Sequence, residues 1–424
     1  MILKSDPHGG TLLKKWYFAL LIASLSLGTI YAFPFLDNTS TAPPSLPDSP
    51  QYIRQTITAD STTSRTITWH TIPTDTIQSI EYKIANAEEA FSLEATTKVL
   101  ATDLGESYLH SITLNNLIPS TTYLYRVGTP NAFSAWYSFT TASTENPSFH
   151  ALIFPDSQSS DYTVWENTVN AAALDCPMTD FFINMGDLVD NGSSFYQWQA
   201  WFNGAKTILP LIPIAPIEGN HEAYSLDWKF TTPDLYLSLF DLPQNGAPNL
   251  AGQTYSFDYG DAHFVVLDSQ AEELNAYQPN LIANQLPWLA QDLQMTKKKW
   301  KIILIHRGLF SYPDTENLNE LGKAFMPIFD RYHVDLVFTA HIHSYGRTKP
   351  LYQGLPAPKG TVYISTGRAG DKPWEKSLQK PVEVVFDNAL TQPNYLSLTV
   401  DANQLNVKAI RQDYSLIDEF TLQK

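Results

Sequence analysis

Five apolar runs between residues 150 and 345 each end in side chains of types that can coordinate metal ions. The coordinating residues are Asp156 after "LIFP", Asp187 after "FFINMG", Asn220 and His221 after "IAPIEG", His306 after "IILI", and His341 with His343 in "LVFTAHIH". Continuous apolar runs are typical of strands that are buried on both faces of a parallel sheet. Because ligands bind beyond the carboxyl ends of such strands, side chains that lie roughly 30 to 90 positions apart in the chain can meet at one edge.

The side chains at these five ends have the donor atoms of a transition-metal site. Carboxylates, an amide oxygen and imidazoles together suit zinc, manganese and iron. A single Asp or His at a strand end is usually a cap or turn residue. Turn chemistry does not explain five such ends in one domain, so the sequence predicts a metal site.

The segments between the apolar runs have the mixed polarity of helices. Candidate helices cover residues 162–174, 196–207, 282–295 and 320–332. Strands that alternate with helices indicate an α/β domain in which helices flank the sheets. This domain is predicted to span residues 148–424 and to close with a hairpin in "YLSLTVDANQLNVKAI".

Residues 51–143 have a different character, with short runs rich in Thr, Ile, Tyr and Val between polar breaks. Strands at this spacing predict an all-β sandwich, with Trp69 in its core. In "LIPSTTYLYRV", Tyr123 has the setting of a tyrosine corner, and the segment resembles a fibronectin type III domain. The chain is therefore expected to carry a sandwich domain before the α/β domain.

The first 50 residues look like an export signal and a linker. Lys14 and Lys15 precede an apolar segment, Trp16 to Ala32, so residues 1–33 are predicted to be a secretory signal peptide. The segment is also close to the length of a membrane span, and an uncleaved anchor remains the alternative. Residues 34–50 are rich in Pro, Ser and Thr and are predicted to be a linker. We therefore expect an exported protein, which is periplasmic, secreted or anchored in the cell envelope.

The order of the motifs resembles a known superfamily. After Asp156 come "GDLVD" at 186–190, "GNHE" at 219–222, "ILIHR" at 303–307 and "AHIHSYGR" at 340–347. This series resembles the calcineurin-like metallophosphoesterases. With the preceding sandwich, it is most similar to the purple acid phosphatases and their bacterial relatives.

The resemblance implies a role for each motif residue in a centre with two metal ions. Asp187 would bridge the two ions, and His221 would act at the leaving group. The implied ligands are Asp156, Asp187 and His343 for the first metal, and Asp187, Asn220, His306 and His341 for the second. Glu222 is expected to support its neighbours, and Arg307, Tyr345 and Arg347 are candidates for substrate contacts.

Three positions depart from the purple acid phosphatase pattern. Asp190 stands where those enzymes have a ligating tyrosine, so no purple tyrosinate–iron(III) colour is expected. Gln158 stands where the wider superfamily has histidine and the purple branch has glycine. Ala340 replaces a glycine. Gln158, Asp190 or water would have to complete the first metal's coordination, and the pair of ions is left open among iron, manganese and zinc.

These features predict an exported phosphoesterase that hydrolyses small phosphate monoesters with metal-activated water. A phosphodiesterase or nucleotidase on the same core is one alternative, and a degenerate cell-surface binding protein is another. The formal net charge of −16 argues against nucleic acid as a partner, because its phosphates require Lys and Arg. The sequence does not predict an oligomeric state.

Overall fold

The computed structural model describes residues 49–145, 147–311, 317–375 and 377–424. The predicted signal peptide or anchor, 1–33, and residues 34–48 of the predicted linker lie outside these ranges. Within the described ranges, no helix has the length and apolar character that a membrane crossing needs.

Strands dominate the described chain, and the helices all lie beyond residue 160. The strands are β1 Gln51–Thr56, β2 Arg65–Thr71, β3 Ser79–Ile84, β4 Phe91–Glu94, β5 Thr96–Thr102, β6 Gly105–Leu114, β7 Thr122–Gly128, β8 Tyr137–Thr140, β9 Phe149–Phe154, β10 Phe181–Asn184, β11 Ile214–Pro216, β12 Tyr255–Tyr259, β13 Ala262–Leu267, β14 Trp300–Ile305, β15 Leu336–Thr339, β16 Tyr345–Thr348, β17 Leu351–Tyr352, β18 Leu355–Pro356, β19 Val362–Thr366, β20 Glu383–Asp387, β21 Asn394–Val400, β22 Gln404–Arg411 and β23 Leu416–Gln423. The α-helices are α1 Tyr162–Asp175, α2 Phe195–Gly204, α3 Asp234–Leu239, α4 Leu281–Met295 and α5 Glu320–Tyr332.

The first eight strands form the predicted sandwich. One layer has the order β1-β2-β6-β5 and the other has the order β4-β3-β7-β8. Trp69, Ile80 and Tyr125 are fully buried between the layers. The Tyr123 hydroxyl accepts a hydrogen bond from the N–H of Ile118 at 2.9 Å, which is the contact expected of a tyrosine corner. The prediction of an all-β sandwich is confirmed.

Two larger sets of paired strands face each other in the rest of the described chain. The order β23-β22-β21-β9-β10-β11 forms one of them, and β12-β13-β14-β15-β19-β16-β20 forms the other. Strands β9, β10 and β11 run parallel to one another, as do β13, β14, β15 and β19. The carboxyl ends of the parallel strands in each sheet therefore lie at one edge.

Alternating side chains explain why these strands read as continuous apolar runs. In β13, Phe264 packs between the sheets while Val265 faces helices α4 and α5. Ile302 and Ile303 of β14 divide in the same way. Since both faces are covered, neither position can be polar. The predicted α/β domain, with sheets flanked by helices, is confirmed.

The sandwich and the α/β domain share one sheet, which the sequence did not predict. Strand β1 pairs in parallel with β11 at Thr56 and Ile214, so the sheet runs through ten strands from β23 to β5. At this junction the fully buried Arg54 donates through Nε to the carbonyl of Leu239 at 2.9 Å. Burial lowers the pKa of Arg54 to about 9. The sandwich is thus joined to the α/β domain by backbone pairing and a buried cation.

Candidate metal centre

The predicted ligands all follow the carboxyl ends of parallel strands. Asp156 follows β9, Asp187 follows β10, Asn220 and His221 follow β11, His306 follows β14, and His341 and His343 follow β15. Three of these strands belong to one sheet and two to the facing sheet. The site therefore lies where the two sheets meet, as the strand ends predict.

Two groups of ligand atoms form there, and one carboxylate belongs to both. The first group contains Asp156, Asp187 and His343, and the second contains Asp187, His306 and His341. Within each group the ligand atoms lie within 4.8 Å of one another. The side-chain oxygen of Asn220 joins the second group, at 3.3 Å from His306 Nε2. Asp187 thus occupies the position of a shared ligand.

The spacing of these atoms fits metal coordination better than direct hydrogen bonding. His306 Nε2 lies 3.3 Å from an Asp187 oxygen, and His343 Nε2 lies 3.5 Å from an Asp156 oxygen. Charge-assisted hydrogen bonds between such groups are about 2.7–2.9 Å long. Two ligand atoms that each lie about 2.1 Å from one ion are roughly 3.0–3.4 Å apart. The donor types and their spacing therefore fit a pair of transition-metal ions.

Hydrogen bonds from the opposite ring nitrogen orient two of the imidazoles. His306 Nδ1 donates to the carbonyl of Met185 at 2.8 Å, and His343 Nδ1 donates to the carbonyl of Lys372. Each contact leaves Nε2 directed at the carboxylates, as in other metal sites. Nδ1 of His341 is buried with no partner among the described residues, so it remains available as a ligand atom.

The two carboxylates create a strongly negative centre. Burial alone would lower the pKa of His306, but the adjacent Asp187 raises it to about 9. Burial likewise opposes ionisation of Asp187, yet His306 and His221 hold its pKa well below the usual range. The carboxylates therefore stabilise positive charge at the centre, as the ligands of metal cations must.

Close backbone packing explains the two glycines of the motifs. A Cβ on Gly219 would lie 2.2 Å from the Asp187 side chain, and one on Gly186 would lie 2.6 Å from His306 Nδ1. The ligands Asp187, His341 and His343 themselves adopt left-handed backbone conformations, with φ between 49° and 72°. Such strain typically persists at functional sites, where the surrounding structure enforces it.

Glu222 holds two of the ligand loops together. Its buried carboxylate accepts hydrogen bonds from the N–H groups of Asp187, Leu188, Val189 and Gly219 at 2.8–3.4 Å. Burial and the nearby Asp187 raise the pKa of Glu222 to about 8, and the Gly219 and Leu188 donors oppose that shift. Because both oxygens already act as acceptors, we take the group as a carboxylate. It supports the ligands and belongs to neither ligand group.

His221 lies beside the ligand groups and is partly open to solvent. Its backbone N–H donates to Asp187 at 2.9 Å, and its Nδ1 donates to the carbonyl of Asp190 at 2.7 Å. The side chain is 22% exposed. These contacts fix the ring and leave Nε2 without a hydrogen-bond partner among the described residues, as a residue facing a substrate would be.

Comparison with known proteins agrees with this geometry. Residues 50–141 match the sequence profile of the purple acid phosphatase N-terminal domain, and residues 152–345 match that of the calcineurin-like phosphoesterases. Residues 152–345 therefore form a calcineurin-like phosphoesterase domain.

Curated relatives of this chain come from plants and animals. Purple acid phosphatase 15 of Arabidopsis thaliana is 28% identical over 62% of this chain and 54% of its own length. Probable inactive purple acid phosphatase 27 of the same plant is 24% identical over 74% and 58%. Acid phosphatase type 7 of Mus musculus is 27% identical over 62% and 64%. The chain thus spans a little over half of the length of these relatives.

Solved structures show the same fold. A purple acid phosphatase from yellow lupin (Lupinus luteus) seeds superposes with a TM-score of 0.75 at 20% identity, covering 89% of this chain and 74% of its own. PhoD superposes with a TM-score of 0.63 at 14% identity, covering 90% of this chain and 92% of its own. The described residues therefore share the fold of these two proteins.

Two of the three positions that depart from the purple acid phosphatase pattern, Gln158 and Asp190, have different surroundings. Gln158 is buried in the first ligand group, where its carboxamide nitrogen lies 3.3 Å from Asp187 Oδ2 and 3.2 Å from His343 Nε2. Asp190 instead forms an ion pair with Lys372 and lies outside both ligand groups among the described residues. Of the two candidates, the structure brings only Gln158 to the first metal's ligands.

The three candidates for substrate contacts, Arg307, Tyr345 and Arg347, lie in different surroundings. Arg307 borders a cavity of about 580 Å³ beside His341, and its guanidinium pairs with Glu273 at 2.5 Å. Tyr345 is fully buried and donates to Asp418 at 2.7 Å.

Arg347 pairs with the same Asp418 carboxylate, at 2.5 Å. Tyr345 and Arg347 are therefore corrected: they link β16 to β23 and do not face the metal centre. Their position next to the last motif is explained by sheet packing.

Sequence reasoning missed four side chains around the centre. Trp374 lies against His341 and His343, with ring centroids 5.4 and 5.2 Å away. Lys372 pairs with Asp190, and two further rings, those of Tyr224 and Trp228, lie against His221. All four lie in loops that follow strand ends recognised from the sequence. The aromatic and basic residues of "DKPWEK" and of the segment after "GNHE" were the signal that could have found them.

Proposed function

We propose that this protein hydrolyses phosphate monoesters with two metal ions held at the carboxyl ends of its central strands. The observation that carries the proposal is the Asp187 carboxylate, which is common to both ligand groups. A carboxylate shared by two ions places them roughly 3.5–4 Å apart, which is the spacing of two-metal phosphoesterases.

The residues of this chain divide the work in the following way. Asp156, His343 and the carboxamide of Gln158 would hold one ion, and Asn220, His306 and His341 the other, with Asp187 between them. When bound, the two ions supply Lewis acidity to the phosphoryl group and activate water for attack on phosphorus. Iron, manganese and zinc all suit this donor set.

His221 has the geometry to donate a proton to the leaving oxygen. Its Nδ1 is committed to the carbonyl of Asp190, so Nε2 is the nitrogen that meets the substrate. The Asp190 carboxylate lies 3.6 Å from the same Nδ1, on the side of the ring away from Nε2. Lys372 and Arg307 lie near the centre, but each is paired with a carboxylate. In a protein whose net charge is −16, the bound ions would therefore supply the positive charge that an anionic ester needs.

The test is a comparison of monoester and diester hydrolysis by the purified full-length protein. We expect turnover of p-nitrophenyl phosphate with manganese, zinc or iron supplied, loss of turnover in a chelator, and slower turnover of bis-p-nitrophenyl phosphate. Faster cleavage of the diester would favour a phosphodiesterase. No turnover of either compound with any of the three metals would favour a degenerate binding protein, a concern raised by relatives that are named probable inactive.

We also propose that the protein is exported, on the basis of Lys14, Lys15 and the apolar segment of residues 16–32. Amino-terminal sequencing of the protein from fractionated producing cells tests this. A mature chain that begins near Phe33 outside the cytoplasm indicates a cleaved signal peptide. A full-length chain in the membrane fraction indicates an anchor, and a full-length cytoplasmic chain contradicts the proposal.

A further inference from the structure

An exposed aromatic hairpin follows directly after His221. Tyr224 and Phe230 form a bridge at its base, and the N–H of Ser225 donates to the carbonyl of Lys229 at 2.8 Å. Trp228 stands at the tip in a left-handed conformation, with φ of 60°, and is 54% exposed. A large apolar ring in this setting costs free energy both through backbone strain and through contact with water.

The rings of this hairpin make a continuous surface with His221. Tyr224 lies 5.5 Å from the His221 ring, and Trp228 lies 6.2 Å from it, between ring centroids. Tyr224 and Trp228 are 5.8 Å from each other. Because His221 is placed at the leaving group, whatever leaves the phosphate passes over this surface.

The chemistry of the surface selects a flat, apolar group. Phe230 is 42% exposed beside Tyr224, at 5.6 Å between ring centroids, and Leu226 is 56% exposed in the same hairpin. The charges of the hairpin, Lys229 and Asp227, are paired with each other. Aromatic rings bind planar π-systems by stacking, whereas a sugar needs several hydrogen-bonding partners for its hydroxyls.

We propose that Trp228 and Tyr224 bind a planar aromatic group carried by the leaving alcohol, and that the substrates are nucleoside 5′-monophosphates. This inference rests on the proposed phosphomonoesterase function and names its substrate class. In such a substrate a pentose separates the phosphate from the base. The phosphate then lies at the metal centre while the base reaches the exposed Trp228, beyond His221.

The test compares adenosine 5′-monophosphate with ribose 5-phosphate in the full-length protein. Both esters release the same primary alkoxide, so their difference in kcat/KM reports the base alone. We expect the wild-type protein to prefer the nucleotide on the order of tenfold, the range expected of one stacked ring. Trp228→Ala is expected to bring the ratio of the two kcat/KM values close to one, and Trp228→Phe to restore most of it.

Two controls separate this inference from the proposed function. Trp136→Ala removes an exposed tryptophan of the sandwich domain and is expected to leave the ratio unchanged. Metal content measured on Trp228→Ala shows whether the centre survives the substitution.

A wild-type ratio near one, a preference for ribose 5-phosphate, or a ratio that Trp228→Ala leaves intact overturns the inference while monoesterase activity stands. If neither ester is hydrolysed, the proposed function fails. In that case calorimetry measures the Kd of adenosine 5′-monophosphate and the Kd of ribose 5-phosphate. Tighter binding of the nucleotide that Trp228→Ala abolishes supports the aromatic surface, and equal Kd values overturn it.

Discussion

Replacing Glu222 by glutamine tests how the ligand loops are held. Oε2 of Glu222 accepts from the N–H groups of Asp187 and Gly219, and Oε1 accepts from those of Leu188 and Val189. Glutamine keeps the size but only one acceptor oxygen, so two buried donors then face an NH2 group. Each buried donor left without an acceptor costs about 1–3 kcal/mol, so Glu222→Gln is expected to lower the free energy of unfolding by about 2–6 kcal/mol.

The assay is urea unfolding, followed by tryptophan fluorescence, of the wild-type and variant proteins in a chelator. The matched control is Glu320→Gln, whose side chain is 90% exposed and pairs with Lys323, so a loss below about 1 kcal/mol is expected. A loss that appears only in the metal-loaded proteins would show that Glu222 is a metal ligand. No loss under either condition would refute the hydrogen-bonding account of the loops.

Three further predictions concern single histidine and glutamine positions. His221→Ala is expected to retain metal in elemental analysis but to lower kcat about 10²–10⁴-fold, the usual contribution of a general acid; loss of metal would make it a ligand. Gln158→Ala is expected to weaken binding of one ion while the other remains, as measured by metal titration, and equal weakening of both would contradict its placement. Burial would lower the pKa of His263, but Asp258 and Asp292 raise it to about 9 from 6.5, so its pairing stabilises the fold fully below pH 6.5 and is lost as the pH rises through 9. About 3 kcal/mol of the difference in unfolding free energy between wild type and His263→Gln should therefore disappear between pH 6 and pH 9.5, and a pH-independent difference would contradict it.

The ligand residues could be predicted from the sequence because each one directly follows an apolar run that marks a strand. Apolar runs predict buried parallel strands, and the residue after each run is then placed by the topology of the sheets alone. The helix predicted at 282–295 agrees within one residue with α4, Leu281–Met295, because the pattern that marks a helix is also local. The short helix α3, Asp234–Leu239, has too few residues for a periodic signal and was missed.

Contacts between distant segments account for what the sequence did not predict. Asp418 binds Tyr345 and Arg347 from more than 70 residues away, and Lys372 reaches Asp190 across 182 positions. No local pattern marks such pairs, since each partner alone looks like an ordinary surface charge.

The pairing of β1 with β11 is of the same kind as these side-chain contacts. It rests on a single register position, Thr56 with Ile214. A sheet that crosses a domain boundary in this way becomes visible only in three dimensions.

Metal content is the most direct measure of the central claim, which is a two-metal centre built on Asp187. Elemental analysis of the purified wild-type protein is expected to give about two ions per chain, and the Asp187→Ala variant is expected to lose both because the shared ligand is gone. A wild-type protein that binds a single ion, or an Asp187→Ala variant that keeps two, would contradict the account.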